Sequence, residues 1–504
     1  MPLLNKIISH TIQQLKLIFH RNMRLFRFIV LLISLMYLNY GSHAQDVWSL
    51  QRCIEYARSH NIQIKQQVLQ KRLSELQLRQ SRLSQFPTVN AGADYGYNYG
   101  RSIDPTTNQF VGSQLSSAGL NMNAGITLFS WFQKRNTIAA NQYADQAARE
   151  ILENMEDNIS LNIANAYLQI LQTEEQEEVS VQQISLTQQQ LDNTTKQVEA
   201  GALPESNEAD LEAQLARDSA TYITNKNNVT FAILQMKTLL NLDFRTTFIP
   251  EKPDLAKIPI LNIAVLTPEE IYQSAVAKQP QILSDSLQVL SAEKQVAASK
   301  GALYPSLSFG AGLGTNYSSN YRRPVGETTI AIPPSPIGSV DVNGTNYTVN
   351  SLPQQITNPK FEQPKLSRQI SDNLRENLGL SLNIPLFNGL QTRAQIEQSK
   401  INLENQRLVH EQDLLTLKQD IYQAYANAKA SLENYVAAQK TLKSSQTAFY
   451  YAQQRYNVGL INSLDYVTSQ NSLFQAQNDL ISKHYDYIFK MKILEFYKNL
   501  NITL

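Results

Sequence analysis

Two stretches of nearly 70 residues, about 131–199 and about 390–457, contain no proline and are rich in Gln, Ala, Leu and Glu. An α-helix rises 1.5 Å per residue, so each stretch predicts a helix of roughly 100 Å, far longer than a small globular domain is wide. Apolar residues recur at a heptad spacing in both stretches, which indicates helix packing of the coiled-coil type. They are Ile163, Ile170, Ile184, Leu191 and Val198, then Ile421, Ala428, Tyr435, Leu442, Phe449 and Tyr456.

A coiled coil needs a second apolar position in each heptad, four residues after the first. In the second stretch this position is polar at Gln439, Gln446 and Gln453. The apolar seam is therefore thin, and an isolated two-stranded coil would bury little apolar surface along it. We expect neighbouring helices to share this seam in a wide tube.

The chain is a tandem repeat of one structural unit. Residues 47–64 resemble 265–282 at an offset of 218, and Gly201 matches Gly459 at an offset of 258. Each copy reads as a short helix, two strands, a long helix, a glycine-containing tip and a return helix. The predicted parts are a first repeat at 45–250, a linker at 251–266, a second repeat at 267–504, and tips at 199–207 and 457–465.

Four segments of about ten residues alternate apolar with small or polar side chains, the pattern and length of transmembrane β-strands. They form two predicted hairpins, at 87–129 and 305–387. The polar face carries Gly, Ser and Asn rather than Lys and Glu, which favours a water-filled lumen over a soluble sandwich. The candidate lumen residues are Asn90, Asp94, Asn121, Asn123, Ser306, Ser308, Ser381 and Asn383. The aromatic residues expected to lie at a membrane interface are Phe129, Trp131, Phe132 and Phe387.

Four strands are too few to close a barrel, and lipid does not tolerate an unpaired strand edge. Strands from other copies must complete the barrel, so the sequence predicts an oligomer. The second hairpin also contains the insertion that separates the two offsets, at about 318–373, with seven prolines. Because proline fits neither helix interiors nor paired strands, we predict a long extracellular loop there.

The N-terminal 44 residues are basic, with five Lys and Arg and no acidic residue, and an apolar run extends from Leu25 to Leu38. Ser42 and Ala44 supply the small residues of a cleavage site, so residues 1–44 read as a cleaved secretory signal. Met23 is a second candidate start. Removing the signal leaves 39 basic against 43 acidic residues, a balance that gives no reason to expect nucleic acid as a partner.

No residue pattern for catalysis or metal binding is visible in the sequence. Cys53 is the single cysteine, and His60, His410 and His484 are far apart in the sequence. No apolar run of about 18 residues follows the signal, so we predict no transmembrane helix. These observations predict a protein that is not an enzyme and that holds no cofactor or metal.

The two glycine-containing tips end the long helices. Gly is expected just after a helix, and Asn or Asp just before the next one, so Asn207 and Asp465 read as N-caps of the return helices. A second interpretation of Asp465 is that symmetry gathers its copies into an acidic ring at a constriction. The two interpretations are compatible, since a capping residue can also face a pore.

Together these features resemble the TolC family of outer-membrane efflux proteins. The resemblance covers about residues 46–500 and rests on YARSHNIQI, LSQFPTVNAG, GITLFSWF, LSLNIPLFNG and RYNVGLINSLDYV. It implies a mixed α/β membrane protein in the Gram-negative outer membrane: a homotrimeric, 12-stranded β-barrel with four strands per chain, continuous with a long antiparallel α-helical barrel in the periplasm. It also implies a periplasmic adaptor and an inner-membrane transporter of the RND, ABC or MFS type as partners, and outer-membrane lipid around the barrel.

The family implies roles for the tips. The adaptor-docking turn corresponds to Gly201, Ala202, Leu203, Gly459, Leu460 and Ile461, and the periplasmic gate to Asp465, Tyr456, Thr468 and Asn207. Three positions depart from the family pattern. Ile461 stands where some relatives have Arg. Thr468, one helical turn after Asp465, stands where the family has a second acidic residue. Asn207 is the first-repeat counterpart of Asp465, so that position carries no charge. A single acidic ring is the most that these residues support.

The function that follows is a passive exit duct of a tripartite efflux pump that exports small molecules. The outer-membrane component of type I protein secretion is an alternative. A structural trimeric coiled-coil envelope protein is a third reading, which the duplicated strand pairs disfavour. A diffusion porin is a fourth, and it has no need of such long helices.

Overall fold

The computed structural model describes residues 47–103, 108–112, 114–253, 263 and 266–500. The predicted signal segment and most of the predicted linker lie outside these residues. The described chain forms two compact units. One comprises the residues through Gln66, Asn154–Gln279 and the residues from Leu417 onward, and the other Gln67–Glu153 and Pro280–Thr416. Each unit therefore contains parts of both sequence repeats.

The described helices and strands follow the repeat in chain order. They are β1 Val47–Trp48, α1 Leu50–His60, α2 Ile62–Leu83, β2 Thr88–Asn98, β3 Ser102–Ile103, β4 Phe110–Val111, β5 Leu115–Phe129, α3 Gln133–Glu199, α4 Glu205–Leu240, β6 Ile249–Pro250, α5 Pro268–Val276, α6 Pro280–Gly301, β7 Ser306–Ser318, β8 Arg323–Ile332, β9 Pro336–Val342, β10 Thr345–Asn350, β11 Gln354–Glu362, α7 Leu366–Asp372, β12 Arg375–Asn383, α8 Gln391–Asn457 and α9 Ser463–Asn499.

The two long helices are confirmed. α3 and α8 each contain 67 residues, and none of those residues is a proline that would interrupt the hydrogen-bond ladder. The heptad seam is also confirmed where Ile163, Ile170, Ile421 and Ala428 have no measurable exposure. None of the helices in the described ranges combines the length and the apolar character that a membrane-spanning helix requires.

Four strands of the second unit form one antiparallel sheet in the order β12-β7-β5-β2. The hairpins of the two repeats lie side by side, because β5 of the first pairs with β7 of the second. A register shift between Thr127 and Phe129 interrupts the regular pairing of β5 near its end. The strands β2 and β12 each have one edge that pairs with no other strand among the residues described.

The last strand is shorter than predicted. β12 ends at Asn383, whereas we expected the hairpin to extend to 387. Pro385 follows two residues later and has no N–H with which to continue the ladder. The other three predicted strands are present with boundaries close to those expected from the alternating pattern.

The proline-rich segment is more ordered than predicted. β8 pairs with β11 and β9 pairs with β10, as two antiparallel ribbons. Pro324 and Pro359 lie inside these strands and Pro336 begins β9. The expectation that these prolines exclude paired strands is wrong, because each strand of a two-stranded ribbon has a free edge, where a missing N–H breaks no ladder bond.

The core of the first unit forms around α1 and the middle of α3. The Tyr167 hydroxyl lies 2.9 Å from the Trp48 carbonyl oxygen and 2.7 Å from that of Glu251. These contacts join α3 to the parallel pair β1–β6. Cys53 on α1 is fully buried, and burial raises the pKa of its thiol to about 12. The thiol is therefore protonated and unreactive near neutral pH.

Candidate functional site

All eight candidate lumen residues lie on one face of the four-stranded sheet. Opposed residues in an antiparallel sheet point to the same side, and the register places Asn90 opposite Asn123, and Asn123 opposite Gly312. The next rows place Asn121 beside Gly92, Thr127 beside Ser308 and Ser381, and Ser306 beside Asn383. The polar residues of the two repeats thus form a single polar sheet face.

Glycines on this face leave room for neighbouring polar side chains to lie along the sheet. A Cβ added to Gly119 would lie 2.6 Å from Asp94 Oδ1, and one added to Gly92 would lie 3.0 Å from Asn121 Oδ1. The Asp94 and Asn121 side chains therefore lie flat across the neighbouring strand, in space that any larger residue would fill. Side chains that lie flat leave the area above the sheet open to solute and water.

The opposite face is apolar and exposed within the single chain. One row contains Val89, Ala124, Ala311 and Leu378. Leu378 is 77% exposed and Leu380 is 67% exposed. Leucines exposed to this degree along a strand need an apolar medium or partner.

The tips are shorter than predicted, at 200–204 and 458–462 rather than 199–207 and 457–465. Both turns have the same construction. Gly201 and Gly459 have φ of 72° and 74°, the left-handed conformation that closes a helix. The N–H groups of Ala202 and Leu460 return to carbonyls five residues earlier, at 2.8 Å in both tips. The tips are thus compact Schellman turns.

The N-cap assignments of Asn207 and Asp465 are wrong. Pro204 and Asn462 occupy the N-cap positions, and Asn462 Oδ1 accepts a 2.8 Å hydrogen bond from the Asp465 N–H. Both return helices begin about one turn earlier than expected. Asn462 caps α9 through its side chain, whereas Pro204 makes no side-chain cap at the start of α4. The Asp465 side chain is therefore not engaged in capping, and it is exposed.

Behind the turns, aromatic and polar groups connect the two hairpins. Tyr456 packs against Tyr466 with ring centroids 4.9 Å apart, and its hydroxyl lies 3.3 Å from Thr194 Oγ1. Burial raises the pKa of Tyr466. The buried Ser463 hydroxyl donates a 2.6 Å hydrogen bond to Asp210 Oδ2 on α4.

The candidate gate residues are therefore divided between two environments. Tyr456 belongs to the packed interior of the tip, and Asn207 Oδ1 lies 3.3 Å from the Ser463 hydroxyl. Asp465 and Thr468 are exposed on α9. Of the candidate docking residues, Gly201, Ala202, Gly459 and Leu460 are exposed, whereas Leu203 and Ile461 are half-buried.

A buried polar network above the tips was not predicted. Thr187 donates to Asp218 Oδ2 at 2.6 Å, and Gln214 Nε2 reaches Asp218 Oδ1 at 2.8 Å and Asn471 Oδ1 at 2.9 Å. The buried Gln470 donates to Thr187 at 2.9 Å. The network joins α3, α4 and α9 in the first unit.

This network has a signal in the sequence. A second heptad series on α3 consists of hydroxyl residues, all of them buried: Thr173, Ser180, Thr187 and Thr194. Polar residues at regular core spacing indicate buried hydrogen bonding rather than an exposed face, because a buried hydroxyl needs a partner.

In the second unit, a pair of carboxyl groups joins α6 to α8. Gln281 Nε2 donates to Asp285 Oδ1 and to Asp413 Oδ2, both at 3.2 Å. Burial, and then the neighbouring Asp413, raises the pKa of Asp285 from 3.8 to about 7. Asp285 Oδ2 has no hydrogen-bond partner among the described residues, so a shared proton would supply one.

The described residues contain no group of three or more His, Cys, Asp or Glu side chains that could hold a metal ion.

Comparison with known proteins gives a consistent result. The family model for "Outer membrane efflux protein" matches residues 53–242 and 271–488, one segment in each repeat. Outer membrane protein TolC of Escherichia coli is 20% identical over 469 residues, covering 92% of this chain and 84% of TolC. Outer membrane efflux protein BepC of Brucella suis is 23% identical over 393 residues, covering 78% of this chain and 73% of BepC.

Among solved structures, the CmeC outer membrane channel of Campylobacter jejuni superposes with a TM-score of 0.67 at 16% identity. The match covers 89% of this chain and 85% of CmeC. At this identity the likeness establishes the fold.

Proposed function

Because the chain belongs to the outer membrane efflux protein family, we propose that the polar face of its four-stranded sheet is the wall of the exit duct. The protein is an outer-membrane efflux channel, a homotrimer that functions with a periplasmic adaptor and an inner-membrane transporter.

The observation that carries the proposal is the division of the sheet into two faces. All eight candidate lumen residues share one side, and exposed Leu and Val residues occupy the other. A barrel wall between water and lipid requires this division.

The open edges support closure by three copies. Neighbouring strands alternate in direction from β12 to β2, so β2 of a second copy can lie antiparallel beside β12. Three copies supply twelve strands and leave no edge in lipid. Transport through this duct is passive, and the inner-membrane partner supplies the energy.

For the gate, Asp465 is the residue that faces the pore. It is exposed and independent of capping, and threefold symmetry gathers three copies around the axis. Tyr456 and Asn207 act behind it by holding the two hairpins together. Gly201, Ala202, Gly459 and Leu460 form the outer surface of the turns, where the adaptor docks, and Leu203 and Ile461 support them from within.

Export from cells tests the duct. A strain lacking its own outer-membrane efflux channel should extrude a fluorescent dye only when this chain, an adaptor and an inner-membrane transporter are all present. Dye loss with the chain alone would indicate a diffusion porin and contradict the proposal.

Divalent-cation block of the conductance in planar bilayers tests the gate separately. We expect Asp465→Ala to weaken the block and Asp479→Ala to leave it unchanged. Asp479 lies two heptads further along the same helix and is also exposed. Equal effects of the two substitutions would exclude the acidic ring.

A further inference from the structure

The proline-rich insertion carries an apolar stripe that none of the described residues of the same chain covers. In β9–β10, Val340 lies opposite Tyr347 and Val342 opposite Thr345. The other side of the same ribbon pairs Asp341 with Asn346 and Ser339 with Thr348. The apolar stripe of Val340, Val342, Tyr347 and Val349 is between 42% and 57% exposed at every position.

A two-stranded ribbon is at best marginally stable by itself, and it needs an apolar face packed against something. Asp341 is the one charged residue between 336 and 350. Copies of this hairpin therefore do not repel each other strongly. An exposed apolar stripe with so little charge nearby is typical of a surface that is covered in the assembled protein.

The two ends of the insertion are attached to the four-stranded sheet. Gln369 on α7 is fully buried; it accepts a hydrogen bond from the Ser318 N–H at 3.1 Å and donates to the Pro364 carbonyl at 3.2 Å. Thr315 on β7 donates to the Ile370 carbonyl at 2.8 Å. The insertion thus leaves the sheet from a defined position, between β7 and the edge strand β12.

Barrel geometry places the second copy within reach. Twelve strands spaced about 4.8 Å apart and tilted by about 40° enclose a barrel of about 12 Å radius. Equivalent points on neighbouring copies are then about 20 Å apart, by the same geometry. β8 has ten residues, and at about 3.3 Å per residue it extends about 33 Å, enough to cross the barrel mouth.

From this placement we propose that the apolar stripes of three copies pack against one another about the symmetry axis, outside the barrel mouth. The occupant of each stripe is a second copy of this chain, and the contact continues the interface that begins at β12. Three hairpins held in this way form a cap over the outer opening. The inference rests on the trimeric channel described above, and adds to it an interface formed by the insertion of the second repeat.

Cysteine cross-linking tests the cap. Tyr347→Cys and Asn346→Cys introduce thiols at adjacent positions on opposite faces of β10, and the buried Cys53 does not compete. With a short bismaleimide on the purified trimer, we expect Tyr347→Cys to give covalent dimers at least five times more efficiently than Asn346→Cys.

The alternatives give different results. Equal cross-linking of the two variants, or none from Tyr347→Cys in an intact trimer, would overturn the proposal. Without cross-links, protection of the Tyr347→Cys thiol from maleimide in membranes but not in detergent would identify lipid as the occupant. Rapid labelling of the Tyr347→Cys thiol in both membranes and detergent would show that nothing covers the stripe in the trimer, and would overturn the proposal. In each case dye export would still report separately on the duct.

A deletion variant provides a second measurement. Replacing 336–350 with two glycines removes the stripe and leaves the β8–β11 ribbon in place. The trimer should still export dye, but it should dissociate in detergent at a lower temperature than the wild type. An unchanged dissociation temperature would contradict a contact between copies at this position.

Discussion

Replacing Asp285 with Asn should stabilise the protein, and the gain should depend on pH. Asp285 is 4% exposed, and burial together with Asp413 raises its pKa from 3.8 to about 7. A carboxyl group whose pKa is raised in the folded state binds its proton more tightly there than in the unfolded chain. The folded state therefore loses stability as pH rises from about 4 to about 7, and the loss is complete above that range.

The size of the effect follows from the two pKa values. One pKa unit corresponds to about 1.4 kcal/mol, so the penalty reaches about 4 kcal/mol at pH 8 and is between about 1 and 2 kcal/mol at pH 5. Asn carries no charge at either pH and has nearly the same shape. Its amide group can donate the hydrogen bond that a shared proton would supply to Asp413.

The assay is chemical denaturation of the purified protein at pH 5 and pH 8, followed by the helical circular dichroism signal. Asp285→Asn should raise the free energy of unfolding more at pH 8 than at pH 5. Asp479→Asn, at an exposed site on α9, controls for the loss of one negative charge. A gain of equal size at both pH values, or none, would refute the explanation from burial and Asp413.

Two further substitutions test packing and the tip. Gly301→Ala places a methyl group 3.1 Å from the Trp131 carbonyl oxygen and should lower the free energy of unfolding by about 1–3 kcal/mol. Gly125→Ala is the control, because its methyl group enters open space. Equal free energies of unfolding for the two variants in chemical denaturation would contradict this prediction. Ser463→Ala removes the hydrogen bond to Asp210, worth about 1.5–3 kcal/mol because one partner is charged. If that bond breaks when the tip opens, single-channel recording should show the ratio of open to closed time rise at least tenfold; an unchanged ratio would mean the bond survives opening.

Periodic features were predictable from the sequence. The bounds of the two long helices agree with the sequence prediction to within a few residues, because a long heptad pattern without proline indicates one continuous helix. Alternation assigns each strand residue to one side of the sheet, and it therefore predicts the polar face that Asn90 and Asn123 share. Pairing between β5 and β7 was not predictable, since it depends on contacts between the repeats.

The N-cap of α9 is predicted wrongly because two nearby residues can both cap a helix. Both Asn462 and Asp465 are good N-caps, and only the start of α9 decides between them. The prolines of the insertion suggested irregular structure because the free edges of the ribbons could not be anticipated. The network around Asp218 is not predicted, because the heptad argument considers only apolar residues and leaves out the buried hydroxyl series that includes Thr187.

The central claim is that the polar face lines the water of the duct, and thiol labelling during conductance measurement tests it most directly. Asn123→Cys and Met122→Cys are neighbours on opposite faces of β5, and the wild-type Cys53 is buried with its thiol protonated. A charged, membrane-impermeant thiol reagent added to single trimers should reduce the conductance of Asn123→Cys and leave that of Met122→Cys unchanged. Block of Met122→Cys with no effect on Asn123→Cys would show that the polar face does not line the duct.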